Sequence, residues 1–217
     1  MTWIVSLGQS ESRLYLKLII GSTVLTVTTV YAPQVGLPDT EKDAFYDKLG
    51  STVASIPDSN TLMICVDWNG HIGKETEGYE EAHGRRAYGV RNTEGERVLE
   101  FAVAHNMTIS NSWFAKSDNH LITYESGGAK TQVDYILVRK QHRKDIRDTK
   151  VIPGEECAPQ HRLLVYDFRV PNPVKVKHHF QPRIRTWRLK DPNTKASFKQ
   201  EVQSRLSTGV GTKVEDI

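Results

Sequence analysis

Apolar and polar positions recur with two different periods along this chain, and the period separates strands from helices. Arg13–Ile20 and Thr23–Tyr31 are rich in Val, Ile, Leu, Thr and Tyr, side chains that suit a pleated, half-buried surface. Gly21-Ser22 lies between them, a two-residue turn signal, so the pair predicts a β-hairpin. A short apolar run at Trp3–Leu7 precedes it. Leu62–Val66 is apolar without interruption, as a strand buried on both faces would be. Further strands are predicted at Met107–Asn111, Leu121–Tyr124, Gln132–Val138 and Arg162–Arg169. Helical spacing appears twice. Over Asp39–Ile56, Phe45, Leu49 and Val53 recur every fourth residue, with Thr40 and Asp43 forming a weak capping box. Over Thr93–Asn106, Val98, Phe101 and Ala102 form one stripe behind a better box, Thr93 with Glu96.

Many strands with two inserted helices predict a two-layer β-sandwich with helices packed outside it. The order is no regular strand–helix alternation, which argues against a doubly wound parallel sheet. No glycine-rich loop follows a strand, so a P-loop or dinucleotide fingerprint is absent. The 217 residues are 38% hydrophobic and 25% charged, too apolar for intrinsic disorder. No stretch approaches the roughly 18 consecutive apolar residues of a membrane span. The N-terminal residues lack the pattern of a secretory signal. Two cysteines, Cys65 in an apolar run and Cys157 in a loop-like stretch, support neither a disulfide framework nor a cysteine zinc site. An intracellular location, nuclear or cytoplasmic, is expected.

Charge divides the chain unevenly. Asn172–Ile217 carries ten Lys and Arg against four Asp and Glu, and the rest carries 19 against 22, so a net charge of +3 hides a basic tail on an acidic body. Asn172-Pro173 and the Lys175–His179 cluster mark the boundary. Two parts are expected, a folded domain over 1–171 and a basic linker or tail over 172–217. In the tail, Lys175, Lys177, Arg183, Arg185 and Arg188 interleaved with Trp187 read either as a nucleic-acid-binding arm or as a solvated connector.

Three short segments carry candidate chemistry. The apolar strand at Leu62–Val66 delivers Asp67 and Asn69 onto a loop bounded by Gly70 and Gly73. A carboxylate can take a proton from water or hold a metal, and a carboxamide can fix a phosphoryl oxygen. The same pair reads as an Asx turn serving only the backbone. Asp134 interrupts a strongly apolar strand, where a carboxylate needs a partner. The best available is His161, just before another apolar strand; an exposed edge Asp and a surface His are the alternative. Tyr31 ends its strand before Ala32-Pro33, where a phenol can donate to a phosphate oxygen or simply form an amphipathic rim.

Taken in order, V-Y-A-P, a strand ending D-W-N-G-H-I-G, N-T-E-G opening a helix, V-D-Y-I-L-V and Q-H-R-L-L-V resemble the endonuclease/exonuclease/phosphatase superfamily. The branch most resembled is that of LINE-type retrotransposon endonucleases and craniofacial development protein 2-like sequences. The resemblance covers Arg13–Val170, and the Arg183–Lys190 segment is similar to the stretch C-terminal to the nuclease in such elements. It implies an α+β fold, a four-layer α/β/β/α sandwich, and hydrolysis of a phosphodiester with Mg2+ or Mn2+, in DNA or in RNA. By the same resemblance Asp67 would orient or deprotonate water, Asn69 would hold phosphate and water, Tyr31 would contact the scissile phosphate, and Asp134 with His161 would stabilise charge on the phosphoryl oxygens. Two positions differ from the family pattern. The family's upstream Asn strand and metal-binding Glu have no counterpart before Tyr31, and its Asp-His dipeptide is Gln160-His161 here. The resemblance thus implies a sandwich lacking its first strands, with its metal ligands unassigned. A non-catalytic nucleic-acid or protein interaction module is the alternative function, and a phosphatase acting on small phosphoesters would use the same core residues.

Overall fold

The computed structural model describes residues 3–10, 13–170 and 191–208. They fall into two units, Met1–Val176 and Lys177–Ile217. The first unit is built on two sheets.

The larger sheet begins with the hairpin read from the sequence. Strands β1 (Trp3–Ser10), β2 (Arg13–Ile20) and β3 (Thr23–Tyr31) pair antiparallel in succession. Gly21 takes φ 64° at the β2–β3 turn, a conformation that glycine adopts without steric cost. Helix α1 (Asp39–Ser55) then returns the chain, so that β4 (Thr61–Asp67) lies parallel to β3. After α2 (Thr93–Ala104) come β5 (Met107–Ile109) and, past a short β6–β7 hairpin (Tyr124–Ser126, Ala129–Thr131), β8 (Asp134–Arg139). The strand order is β1-β2-β3-β4-β8-β5. The second sheet has the order β7-β6-β10-β9, with β9 (Ile146–Ala158) and β10 (His161–Phe168) as its long hairpin.

The main core lies between the larger sheet and the two helices. Leu62, Ile64 and Val66 of β4 alternate toward Leu49 and Val53 of α1 and toward Val98, Leu99 and Ala102 of α2. Met63 faces the other way, into a smaller cluster with Leu25, Ile136 and Val138, against which Leu164, Tyr166 and Phe168 of β10 pack. β4 is therefore covered on both faces, as its uninterrupted apolar run requires. The described residues of this unit thus form a helical layer and two stacked sheets.

Both helix starts differ from the capping pattern expected. α2 is capped by Asn92, whose Oδ1 accepts from Gly95 N at 2.8 Å, and not by Thr93. Asn92 has the extended backbone (φ −118°, ψ 176°) that an N-cap residue needs. α1 follows Pro38 with no side-chain cap; Lys42 Nζ instead reaches Val35 O at 2.9 Å and Glu94 Oε1 at 3.1 Å, tying the two helix starts together. Cys157 lies within β9 and not in a loop.

In the second unit, α3 (Pro192–Thr208) starts at Asp191, whose Oδ2 accepts from Thr194 N and Oγ1. Lys175, Lys177, Arg183, Arg185, Trp187 and Arg188 lie outside the described residues. No described helix is long and apolar enough to cross a membrane.

Candidate active site

Strand register brings the first three candidates into one row. In the parallel β3–β4 ladder Tyr31 stands opposite Asp67, and in the antiparallel β4–β8 ladder Asp67 stands opposite Asp134. Directly opposite residues in a ladder project from the same face of the sheet, so one sheet edge presents a phenol and two carboxylates side by side. His161 arrives from the second sheet as the first residue of β10. Its Nδ1 lies 3.0 Å from Asp134 Oδ2 and its Nε2 lies 3.8 Å from Asp67 Oδ2. One imidazole thus spans two carboxylates, and Tyr124 packs edge-on against the ring at 4.8 Å.

Each carboxylate is held from behind. Asp67 Oδ1 accepts from Asn69 N at 3.0 Å, so the Asx turn weighed from the sequence is formed, while Oδ2 of the same group faces His161. Asn69 adopts φ 48°, a left-handed conformation that asparagine tolerates better than most residues. Its Nδ2 donates to Ala32 O at 2.8 Å, so the side chain turns toward the loop after Tyr31. Tyr31 itself is 59% exposed, and its hydroxyl accepts from Gln34 Nε2 at 3.3 Å. The backbone of Asp134 is fixed by Thr123 Oγ1, which accepts from Asp134 N, and by Asn111 Nδ2, which donates to Asp134 O.

Burial pushes both acids above the usual carboxylate range. For Asp67 the loss of water outweighs the opposing help of the Asn69 N–H and of His161. For Asp134 burial again dominates; His161 and the Thr123 hydroxyl pull the other way, and the charge of Asp67 adds to the rise. Two partly desolvated carboxylates side by side favour a shared cation or proton.

Asp67, Asp134 and His161 offer ligand atoms that all lie within 4.8 Å of one another. Two carboxylate oxygens and one imidazole nitrogen are a donor set that fits a divalent cation, with water completing the shell. Gln160 adds no charge to it. Its φ is 69°, its Oε1 accepts from Tyr124 OH at 2.8 Å, and its Nε2 donates to Ser126 Oγ at 2.7 Å, so the amide fastens β6 to the β9–β10 turn. Thr123 and Asn111, both buried, support the site although nothing in the sequence singles them out. A Thr-Tyr pair next to a predicted strand end is the available signal, and it is too common to stand out alone.

No protein-family model matches the chain. Craniofacial development protein 2 of Bos taurus is 34% identical over 149 residues, and the protein of that name from Tragulus javanicus is 32% identical over the same length. Each match covers 67% of this chain and 25% of the relative, so the chain spans about a quarter of the relatives' length. The endonuclease domain of TRAS1, a telomere-specific non-LTR retrotransposon, superposes with a TM-score of 0.54 at 12% identity, covering 76% of this chain and 69% of that domain. A 3'-5' exonuclease, NExo, from Neisseria meningitidis superposes with a TM-score of 0.52 at 13% identity, covering 72% of this chain and 65% of that one. The α+β architecture and these structural likenesses show the fold of endonuclease/exonuclease/phosphatase-type nucleases, and the curated relatives and the ordered motifs that the strands carry are consistent with that superfamily.

Proposed function

We propose that the chain hydrolyses phosphodiester bonds of DNA with Mg2+ or Mn2+, and that Tyr31, Asp67, Asn69, Asp134 and His161 carry the reaction. The observation behind this reading is the His161 ring set between Asp67 and Asp134 at aligned strand ends. Asp67, with its carboxyl pushed up by burial, takes a proton from the attacking water. A base whose pKa approaches the working pH is the efficient one. The water oxygen forms the new bond to phosphorus, the bond to the departing sugar oxygen breaks, and that oxygen takes a proton from solvent. Asp134 orients His161 through Nδ1, leaving Nε2 to donate to a phosphoryl oxygen. The phenol of Tyr31 donates to another, and Asn69, held by Ala32 O, aligns phosphate and water. A bound divalent cation would be held by the carboxylates of Asp67 and Asp134, beside His161, and would neutralise charge on the phosphoryl oxygens.

Plasmid nicking in Mg2+ tests the reading. The chain should convert supercoiled to open-circular DNA, and Asp67→Ala and His161→Ala should each lower the rate about 10²–10⁴-fold, the usual contribution of a positioned acid or base. Equal rates for the chain and both variants would overturn it.

A second reading, a nucleic-acid- or protein-binding module without catalysis, is favoured by Gln160. Its neutral amide holds Tyr124 and Ser126 and brings no carboxylate to the cation. DNA binding without nicking in either metal would select that reading.

A further inference from the structure

The loop between β4 and α2 contains the sequence Gly84-Arg85-Arg86-Ala87-Tyr88, which the proposed chemistry does not use. Its backbone is fastened almost residue by residue. Gly84 N donates to Ser112 Oγ at 2.9 Å, Arg85 N to His83 Nδ1 at 2.9 Å, Arg86 N to Ser112 O at 2.9 Å, and Tyr88 N to Gln132 Oε1 at 2.9 Å. Ala87 is buried in the main core. Arg85 is held at φ 69°, a left-handed conformation that a long side chain adopts only when its surroundings impose it. What imposes it is His83, 1% exposed, whose Nε2 is anchored 2.8 Å from Gly73 O.

A segment this firmly held nevertheless leaves both guanidinium side chains exposed, and neither forms an ion pair among the described residues. Three other arginines of the first unit find acids: Arg97 binds Asp43 and Asp39, Arg139 binds Asp58, and Arg162 binds Glu125. The anchors also fix where the pair sits. Ser112 follows Asn111, which donates to the Asp134 carbonyl, and Gln132 lies two residues before Asp134. In the sheet order β3-β4-β8-β5, Tyr31 flanks the two aspartates on one side. The Ser112 segment, which continues β5, flanks them on the other. Three strand spacings separate the flanks, about 14 Å at 4.7–4.9 Å each, or about four nucleotide rises along one DNA strand.

We infer that Arg85 and Arg86 bind the phosphate backbone of the nucleic acid on the β5 side of the site, held in place by the His83, Ser112 and Gln132 anchors. This inference rests on the proposed function. A rigid backbone presenting unpaired guanidinium groups loses little loop entropy on meeting a polyanion, and arginine's planar fork matches a phosphate bidentately.

The test is binding of a fluorescent DNA duplex in EDTA across a salt series, with nicking in Mg2+ measured beside it. The Arg85→Ala/Arg86→Ala variant should bind about tenfold more weakly at low salt. Its plot of log K against log salt should be shallower by about 1–2, from one to two lost phosphate contacts at about 0.9 each. Arg85→Lys/Arg86→Lys should recover the slope. Lys48→Ala/Arg147→Ala, which removes the same charge from exposed positions elsewhere, should leave it unchanged. Equal slopes for the chain and the Arg85/Arg86 double variant, with the chain binding DNA, overturn the inference alone. An arginine-dependent slope without nicking overturns the hydrolytic reading alone, and a chain that neither binds nor nicks overturns both.

Discussion

The two faces of the six-stranded sheet are filled in different ways. Against α1 and α2, Leu62, Ile64, Val98, Leu99, Ala102 and Leu137 are closed off from solvent, and Trp68, Tyr46 and Phe101 stack among them. Between the sheets, the smaller cluster buries Leu25, Met63, Ile136 and Val138, with Leu18, Val27, Leu164, Tyr166 and Phe168 partly covered. The first face is packed like a protein interior. The second is looser and ends at the proposed site, where Asp67 and Asp134 are desolvated beside His161. Stability and the proposed chemistry therefore draw on opposite sides of β4.

Truncation on each side gives the largest contrast. Leu99→Ala removes a side chain with no exposure and should cost about 2–5 kcal/mol. Leu164→Ala, only partly buried, should cost no more than about 1.5 kcal/mol, a fraction of the transfer energy of a leucine. Urea midpoints at unchanged m-value measure both. Equal losses would mean that the inter-sheet face is as tightly packed as the helical one.

The helical face was also the more legible in the sequence. The uninterrupted run Leu62–Val66 and the stripes Leu49/Val53 and Val98/Ala102 each required burial, and each is buried apart from Cys65, which is half-buried. The second sheet was harder to read because its strands do not alternate cleanly. β9 carries Arg147, Lys150, Glu155 and Glu156 with Pro153-Gly154 inside it, so its thirteen residues resemble a loop. Its register against β10 slips repeatedly. β6 begins where the predicted strand Leu121–Tyr124 ends, because Leu121, Ile122 and Thr123 are buried as a turn beneath the site. Asp134 announced itself as a charge in an apolar strand, and the need for a partner led to His161. Thr123 and the Arg85-Arg86 pair gave no such conflict; Thr123 Oγ1 meets Asp134 N 11 residues on, and Arg86 N meets Ser112 O, contacts that no local pattern shows.

Titration should separate the site from the buried His83 of the β4–α2 loop by sign. His83 is held below its ordinary range, by burial first and by the Arg91 charge, against the opposing Gly73 carbonyl. The unfolded chain then takes up the proton more readily. Stability from His83 is full above about pH 6.5, the unperturbed value, and is lost as pH falls through the lower folded value. Asp67 and Asp134 are raised, so their contribution is full below about pH 3.9 and is lost as pH rises through their folded values. At pH 7 the site therefore opposes folding. Asp67→Asn, which keeps an acceptor for Asn69 N, should raise Tm by about 2–4 °C, the equivalent of about 1 kcal/mol for a domain this size, while activity falls. His83→Gln should flatten the stability profile between pH 7 and 5. A lower Tm for Asp67→Asn at pH 7, or an unchanged acid slope for His83→Gln, would break the assignment of opposite signs.

The smallest effect should come from the outer surface of the helical layer, where Arg97 of α2 meets Asp43 at 2.5 Å and Asp39 at 3.1 Å on α1. The geometry is close, but the two aspartates are 61% and 75% exposed, so water and salt screen the attraction and ordering three side chains offsets part of it. Arg97→Ala should cost about 0.2–1 kcal/mol at low ionic strength, and most of that loss should vanish in 1 M NaCl, where the screening length is about 3 Å. Replacing Leu99, on the buried face of the same helix, should show no such salt dependence, because its contribution is contact and burial. A loss for Arg97→Ala that exceeds about 2 kcal/mol, twice the usual ceiling for an exposed pair, and survives high salt would mean that this ion pair, and not the apolar stripe beneath it, fastens α2 to α1.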